Sequence, residues 1–145
     1  MKRAYIDSCV WITAIEGFPT YQATIDQILR QLLEQGWKFC VSDAVMFEIL
    51  LKPMNEGQAD VIAQYRLLFA KMESLNSYPN MFTEALHLAH REHLKGLDAV
   101  HLAIALHHDC MLFVSTDSHI RSLQTIRPHW IDLSGSAPPV GVIDR

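Results

Sequence analysis

Four acidic residues stand among mostly apolar neighbours and could act together on a metal ion. They are spread along the whole chain, at Asp7, Glu48, Asp98 and Asp117. Carboxylate oxygens suit hard cations such as Mg²⁺ or Mn²⁺, which keep several waters and bind phosphate groups. Without a cation, four clustered carboxylates would repel one another and raise one another's pKa. These residue types therefore indicate metal-assisted hydrolysis, provided that the fold brings them to one place.

Each of these carboxylates also has a purely structural interpretation. Asp7 could cap the helix that follows it, and Asp117 could be an ordinary turn residue after a strand. Glu48 has the spacing for an exposed ion pair with Lys52, although its apolar neighbours favour burial with a partner. Asp98 opens a helix, where the helix dipole favours a carboxylate under either interpretation. Only convergence in space would favour the functional interpretation for all four.

Short strands that alternate with helices must position these residues. A strand-like pattern predicts strands at residues 3–6, 38–41, 76–79, 111–115 and 129–133. A helical periodicity predicts helices at residues 8–16, 20–35, 43–51, 56–75, 81–93, 97–108 and 118–122. Ser8 is the predicted N-cap of the first helix, and Lys52 and Pro53 are predicted to end the third. Such alternation is typical of an α/β fold with a parallel sheet covered by helices on both faces.

This arrangement predicts where the carboxylates lie. In open α/β sheets, ligands bind beyond the carboxyl ends of the strands, and Asp7 directly follows the first strand. The helix at 97–108 spans roughly 18 Å and the strand at 111–115 returns by roughly 16 Å. Asp98 and Asp117 are therefore expected at the same edge of the sheet. Glu48 lies in the first helix after the second strand, so we expect it there as well.

Length and composition indicate one domain. The chain has 145 residues, half of them hydrophobic, which is enough to bury a core of its own. The domain is predicted over residues 1–133, with residues 134–145 as a tail or an added strand. Three well-separated cysteines in apolar stretches favour buried thiols in a reducing compartment, and we expect a cytoplasmic protein. No segment has the roughly 20 apolar residues of a membrane span.

The net charge of the chain does not exclude nucleic acid as a binding partner. A formal charge of −4 opposes the basic surface that phosphate-binding domains usually carry. If the four carboxylates bind cations, however, the other acidic residues only balance the 12 basic ones. The bound ions would then supply positive charge where a phosphate lies. Four basic side chains of the later half could also follow an RNA backbone: Arg91, Lys95, Arg121 and Arg127.

Four segments resemble the motifs of PIN-domain nucleases, and among these the VapC-type toxins of toxin–antitoxin pairs. They occur in the family's order, at residues 5–8, 42–48, 97–103 and 113–117, and the resemblance extends over residues 3–133. It implies a single-domain, three-layer α/β/α sandwich with a short, mainly parallel central sheet. It also implies endonucleolytic cleavage of RNA, often tRNA or ribosomal RNA, that leaves a 5′-phosphate. A homodimer and an inhibitory antitoxin partner are implied as well.

The resemblance assigns roles to individual residues. The ligands of one or two Mg²⁺ or Mn²⁺ ions would be Asp7, Glu48, Asp98 and Asp117. Ser8 and Thr116 would lie near the metal or the phosphate. In a two-metal scheme, ions roughly 4 Å apart activate a water for in-line attack and stabilise the leaving oxygen.

Three residues bear on how well the pattern fits. Cys9 stands where a small polar residue is frequent, and His119 stands where another acidic or polar group often follows Asp117. His119 is a candidate phosphate ligand or an ordinary surface histidine. His101, one turn after Asp98, could hydrogen-bond near the site or be a core histidine with a backbone partner.

Two other functions compete with a nuclease. A phosphatase of the haloacid dehalogenase type also begins with a strand that ends in aspartate, but it needs a second aspartate where Cys9 stands. A PIN-like module that binds RNA or protein without hydrolysis is the alternative from another class. The presence of all four carboxylates argues against that module.

Overall fold

The computed structural model describes residues 1–136, which form five strands and six α-helices. The strands are β1 (Lys2–Ile6), β2 (Trp37–Ser42), β3 (Glu73–Leu75), β4 (Leu112–Ser115) and β5 (Arg127–Trp130). The helices are α1 (Ser8–Glu16), α2 (Pro19–Glu34), α3 (Asp43–Asn55), α4 (Ala59–Phe69), α5 (Met81–Glu92) and α6 (Gly96–His107). Two short 3₁₀ turns lie at Ser118–Ser122 and Ser134–Ser136.

All five strands run parallel, in the order β3-β2-β1-β4-β5. β1 is central, with Tyr5 beside Cys40 of β2 on one side and Phe113 of β4 on the other. Crossovers between parallel strands are right-handed, so α1–α4 cover one face and α5–α6 cover the other. The contacts agree, since α1 packs on α2 and α3, and α5 packs on α6. The predicted three-layer α/β/α fold with a parallel sheet is confirmed.

The strand β1 and the helix α6 are among the most deeply buried elements of the fold. Ala4, Tyr5 and Ile6 at the end of β1 are fully buried. In α6 every side chain from residue 99 to residue 105 is buried, which is the pattern of a helix that packs directly on a sheet. Residues that follow β1 or open α6 are therefore anchored by buried neighbours.

The prediction that α3 ends before Lys52 is wrong. The helix continues to Asn55 with Pro53 inside it. Proline removes one backbone hydrogen bond from a helix, a loss that usually ends it. Here the ring of Pro53 is buried, and its packing outweighs that loss.

The prediction of one long helix at 56–75 is also wrong, as is the strand at 76–79. The helix α4 ends at Phe69, and the strand β3 lies at Glu73–Leu75. Glu73 pairs with Cys40 of β2, and its carboxylate accepts two hydrogen bonds of 2.9 Å from Arg3. These contacts join residues about 30 and 70 positions apart, so a local helical periodicity cannot reveal them.

The last strand begins two residues earlier than predicted and ends at Trp130 rather than at residue 133. Pro128 lies inside it, opposite Phe113 of β4. Proline cannot donate to a neighbouring strand, but β5 is an edge strand, where that is tolerated. Ser134–Ser136, in the segment predicted as a tail or an added strand, forms a 3₁₀ turn, and the rest of that segment, residues 137–145, lies outside the described residues.

Two further features bear on the sequence predictions. None of the helices in the described part of the chain is long and apolar enough to cross a membrane. Cys9, Cys40 and Cys110 are free thiols, of which Cys40 and Cys110 are buried and Cys9 is partly buried.

Candidate functional site

The candidate site lies at the carboxyl edge of the sheet, where β1 and β4 end. Asp7 follows β1 directly, and Asp117 follows β4 after one intervening residue. Glu48 lies in the second turn of α3, and Asp98 lies in the first turn of α6. The central strands and the most buried helix therefore position the carboxylates that the sequence singled out.

Asp7 both caps α1 and faces the candidate site. Its Oδ1 accepts a 2.8 Å hydrogen bond from the backbone N–H of Ser8, and its Oδ2 accepts one of 2.8 Å from the hydroxyl of Ser115. Asp7, and not Ser8 as predicted, is the N-cap, because its carboxylate satisfies the first free amide of the helix. Only 8% of Asp7 is exposed. The capping bond holds this carboxylate in place.

Because Ser8 is the first residue of α1 and not its cap, its hydroxyl is available for another contact. Ser8 Oγ donates a 2.6 Å hydrogen bond to Glu48 Oε1. This bond connects the start of α1 to α3.

Glu48 directs its carboxylate toward Ser8 and His101. Its Oε1 accepts the Ser8 bond and also contacts Nε2 of His101. Burial raises the pKa of Glu48, but the hydrogen bonds from His101 and Ser8 outweigh burial and lower the pKa below its ordinary value. The carboxylate is therefore ionised at neutral pH. Glu48 is partly buried with two partners, but the apolar neighbours that favoured its burial are not all buried themselves, since Phe47 and Leu51 are exposed.

His101 is the site residue whose place the sequence left open. The side chain is 1% exposed, and its Nδ1 lies 2.5 Å from the hydroxyl of Tyr5. That hydroxyl lies 2.6 Å from Ser42 Oγ, which caps α3 by accepting from the amide of Val45. Burial lowers the pKa of His101, but the hydrogen bond to Glu48 and the nearby negative charges outweigh burial and raise it. The one available signal was its spacing, one helical turn after Asp98.

Three of these side chains place atoms of metal-ligating type close together. Ligand atoms of Asp7, Glu48 and His101 all lie within 4.8 Å of one another, and Oδ1 of Asp7 is 3.9 Å from Nε2 of His101. The structure therefore brings together two of the four predicted carboxylates and adds a histidine.

Asp98 lies close enough to this cluster to experience its charge. Burial, followed by the negative charges of Asp7 and Asp117, raises the pKa of Asp98 above its ordinary value, and His101 opposes this only in part. Mutual repulsion of this kind is expected where carboxylates share a site without a cation.

Asp117 lies at the exposed rim of the site. Its Oδ1 accepts a 2.9 Å hydrogen bond from the backbone N–H of His119 and lies 2.9 Å from the imidazole Nδ1. The His119 side chain is 87% exposed, so it can meet a ligand from solvent. Thr116, the other predicted phosphate contact, is partly buried, and its carbonyl accepts a hydrogen bond from the indole of Trp130.

One basic side chain is held beside this rim. The guanidinium of Arg121 lies 4.5 Å from the centre of the Trp130 ring, and its Nε donates to the carbonyl of Ser118. A guanidinium stacked on an indole is fixed in orientation and keeps its charge. Arg121 is thus a pre-oriented cation two residues from His119.

Cys9 occupies one of the two positions where the sequence departs from the pattern that it resembles. Its Sγ lies 3.2 Å from Ser115 Oγ and 3.6 Å from Asp7 Oδ2. Burial, together with the charge of Asp7, raises the pKa of Cys9 to about 11. The thiol is therefore neutral at pH 7 and adds no further negative charge to the site.

The donor set fits a divalent cation. Asp7 and Glu48 supply carboxylate oxygens within 4.8 Å of one another, and the raised pKa of Asp98 marks negative charge that a cation would neutralise. Oxygen donors of this kind suit Mg²⁺ and Mn²⁺.

The family model of the PIN domain matches residues 4–125. This span contains all four carboxylates and His101. A comparison with curated proteins found no match to this chain.

Solved structures of similar fold include three from bacterial toxin–antitoxin systems. VapBC2 from Rickettsia felis, bound to a DNA fragment from the promoter, has a TM-score of 0.72 at 10% identity, covering 90% of this chain and 99% of that one. A toxin–antitoxin complex from Klebsiella pneumoniae has a TM-score of 0.65 at 17% identity, covering 85% and 94%. VapC20 from Mycobacterium tuberculosis, a toxin that cleaves the Sarcin-Ricin loop, has a TM-score of 0.62 at 14% identity, covering 86% and 99%. At these identities the likeness is one of fold.

Proposed function

Because this chain belongs to the PIN-domain family, we propose that it is a metal-dependent endoribonuclease and the toxin of a toxin–antitoxin pair. The observation that carries the proposal is the convergence of carboxylates from distant parts of the chain. Carboxylate oxygens of Asp7 and Glu48 lie within 4.8 Å of one another. Together with burial, the negative charges of Asp7 and Asp117 raise the pKa of Asp98. Such a cluster is unfavourable by itself and becomes favourable with a divalent cation.

The residues that would hold the cation are Asp7, Glu48, Asp98 and Asp117. Mg²⁺ or Mn²⁺ would supply a Lewis acid that polarises phosphodiester oxygens and acidifies water. The protein's own contribution is to hold these oxygens in place. Asp7 is fixed by Ser8 and Ser115, and Glu48 is fixed by Ser8 and His101.

A phosphate backbone would contact the rim around Asp117. His119 is exposed there, and Arg121 is held on Trp130 beside it. We propose that His119 and Arg121 contact phosphate, with Thr116 near the bound group. The guanidinium of Arg121 offsets part of the acidic charge of the chain at the place where RNA would lie.

RNA is the substrate that the comparisons favour. VapC20, a toxin of similar fold, cleaves the Sarcin-Ricin loop, and the match extends over 86% of this chain. The family resemblance implies tRNA or ribosomal RNA, cleaved to leave a 5′-phosphate.

An antitoxin protein and a second copy of the chain are the proposed partners. Two of the similar structures are toxin–antitoxin assemblies. Large apolar side chains are exposed on α3 and α5, among them Phe47, Leu51, Phe82 and Leu86. Exposed apolar side chains of this size are common at protein contacts. A cytoplasmic location, where the free thiols stay reduced, completes the proposal.

Incubating the purified protein with RNA in the presence of Mg²⁺ or Mn²⁺ tests this function. We expect cleavage that EDTA abolishes, and a loss of cleavage in Asp7→Asn while circular dichroism shows an unchanged fold. Asp60→Asn, which changes an exposed aspartate on α4, is the matched control and should cleave as the wild type does. Cleavage that resists EDTA would contradict the proposal. No cleavage by the wild type would favour the inactive RNA- or protein-binding module.

A further inference from the structure

A chain of hydrogen bonds between buried side chains leads from the core of the protein to the candidate site. It begins at Ser42, which caps α3, passes through the Tyr5 hydroxyl on β1 and ends at Nδ1 of His101 on α6. The two oxygens are 2.6 Å apart, and the Tyr5 oxygen is 2.5 Å from Nδ1. Tyr5 also stacks on Phe113, with ring centres 5.3 Å apart. The imidazole is therefore held by three separate elements of the core.

The other ring nitrogen of His101 faces Glu48. Nε2 contacts Oε1, the same oxygen that accepts the 2.6 Å hydrogen bond from Ser8. Within residues 1–136, no hydrogen bond to Oε2 of Glu48 is present. Two contacts, from Ser8 and His101, therefore hold Oε1 of Glu48 in place. Oε2 is left available to a cation or to a water bound to that cation.

The direction of the hydrogen bond between His101 and Glu48 follows from the chemistry of the carboxylate. An ionised carboxylate only accepts hydrogen bonds, so Nε2 carries the hydrogen that it shares with Glu48. The other ring nitrogen, Nδ1, forms its hydrogen bond with the Tyr5 hydroxyl, which in turn is hydrogen-bonded to Ser42. Both ring nitrogens are occupied in this arrangement.

We propose that His101 is a positioning residue that fixes one oxygen of Glu48, and that Tyr5 and Ser42 fix His101. This inference rests on the proposed function, because it concerns how the metal site is held. Residues that orient metal ligands typically contribute about 10–100-fold to metal affinity or activity. A histidine that only filled the core would contribute to stability alone.

Two substitutions of the same histidine separate the positioning role from a packing role. In His101→Gln, the side-chain amide nitrogen reaches the place of Nε2 and can still donate to Glu48. In His101→Asn, the shorter side chain reaches only the place of Nδ1. Both variants lose the ring, so a loss of packing affects both.

Mn²⁺ affinity, measured by calorimetry, and RNA cleavage, measured as kcat and KM, are the first readouts. We expect His101→Asn to lose about 10–100-fold in Mn²⁺ affinity and kcat, with KM for RNA nearly unchanged, and His101→Gln to recover most of the loss. Tyr5→Phe, which keeps the ring but removes the hydroxyl, should show a smaller loss of the same kind. His87→Asn, on the exposed side of α5, is the control. Equal losses in the Gln and Asn variants, or wild-type values in the Asn variant, would overturn the proposal.

Crystal structures of the metal-free variants decide the question even if the wild type cleaves no RNA. The Glu48 carboxylate should stay on Ser8 in His101→Gln and move away in His101→Asn. A Glu48 side chain in its original place in both variants would refute the positioning role, whereas an inactive wild type would refute only the proposed function. If a His101 variant fails to fold, Tyr5→Phe answers the same question through the position of the imidazole and Glu48.

Discussion

The Ser115 hydroxyl at the end of β4 donates a 2.8 Å hydrogen bond to Oδ2 of Asp7 at the end of β1. The same oxygen of Ser115 accepts a 3.0 Å hydrogen bond from the backbone N–H of Asp117. One buried hydroxyl therefore connects the carboxylate of Asp7 to the backbone of Asp117, which lies 110 residues later in the sequence. Removing this hydroxyl by mutation measures what it contributes to the placement of Asp7 and Asp117.

Ser115→Ala should loosen Asp7 and Asp117 together. Removing the buried hydroxyl takes one hydrogen bond from the Asp7 carboxylate, which keeps the one from Ser8, and leaves the Asp117 amide without this partner. We expect a cost of about 1–3 kcal/mol in the free energy of unfolding. We also expect Mn²⁺ affinity to fall by about 10-fold or more. Urea denaturation and calorimetry measure these changes, with Ser74→Ala on β3 as an exposed control. A variant with wild-type affinity for Mn²⁺ would show that Ser115 does not organise the site.

Asp98→Asn should stabilise the metal-free protein and abolish its response to metal. Burial and repulsion from Asp7 and Asp117 disfavour the charged form of Asp98, as the raised pKa indicates. Replacing it with a neutral amide removes that repulsion, so Tm without metal should rise. The increase in Tm on adding Mn²⁺, and about 10²–10³-fold of the RNA cleavage rate, should be lost.

Differential scanning fluorimetry with and without Mn²⁺ checks the effect of Asp98→Asn on stability. Asp60→Asn should leave both Tm values as in the wild type. A lower metal-free Tm in Asp98→Asn would mean that Asp98 stabilises the fold, as a structural first-turn residue would.

Glu92 gives a pH dependence that is independent of the site. Its buried carboxylate accepts hydrogen bonds from the backbone N–H groups of Gln124 and Thr125 and from the Thr125 hydroxyl. Burial raises the pKa of Glu92, but these bonds outweigh burial and lower it below the ordinary value of 4.5. A carboxylate with a lowered pKa stabilises the fold above its unfolded-state pKa, and this stability is lost as the pH falls through the folded-state pKa.

We therefore expect Glu92→Gln to be less stable than the wild type at pH 7, by about 1–2 kcal/mol. The difference should shrink as the pH falls below 4.5, the ordinary pKa. Urea denaturation at several pH values measures this, and Glu56→Gln, at an exposed position, should follow the wild type. A difference that stays constant with pH would contradict the role assigned to the Glu92 charge.

Arg121→Ala should weaken RNA binding without changing metal binding. Arg121 lies on the Trp130 ring near the exposed rim of the site, so we expect a higher KM and a nearly unchanged kcat. If Arg121 contacts one phosphate, the slope of log affinity against log salt should fall by about 0.7. Arg30→Ala, on the exposed face of α2, is the matched control. An unchanged salt slope would place Arg121 outside the RNA path.

The sequence predicted the parts of the fold that depend on local pattern. Asp7 after an apolar strand and Asp98 at the start of an apolar helix were expected at one edge of the sheet, and both lie there. Features that depend on contacts between distant residues were not predicted, because a local sequence pattern carries no information about such contacts. Pro53 remains inside α3 because it is buried, and Glu73 forms a strand because it pairs with β2 and binds Arg3.

The sequence predicted the charged residues of the site, but it did not predict the contacts that hold them in place. Carboxylates in apolar surroundings are visible in a sequence, whereas a histidine one turn after Asp98 is equally compatible with the core. The structure resolves that ambiguity, since His101 contacts Glu48 and Tyr5, which precede it by 53 and 96 residues. The assignment of the four carboxylates as metal ligands stays a prediction.

Anomalous diffraction from crystals soaked in Mn²⁺ tests that assignment most directly, because it locates the ion without relying on activity. We predict an anomalous peak in contact with the carboxylates of Asp7 and Asp98, and no such peak in crystals of Asp7→Asn. A peak elsewhere on the protein, or none at a Mn²⁺ concentration that supports RNA cleavage, would contradict the claim that these carboxylates form the catalytic metal site.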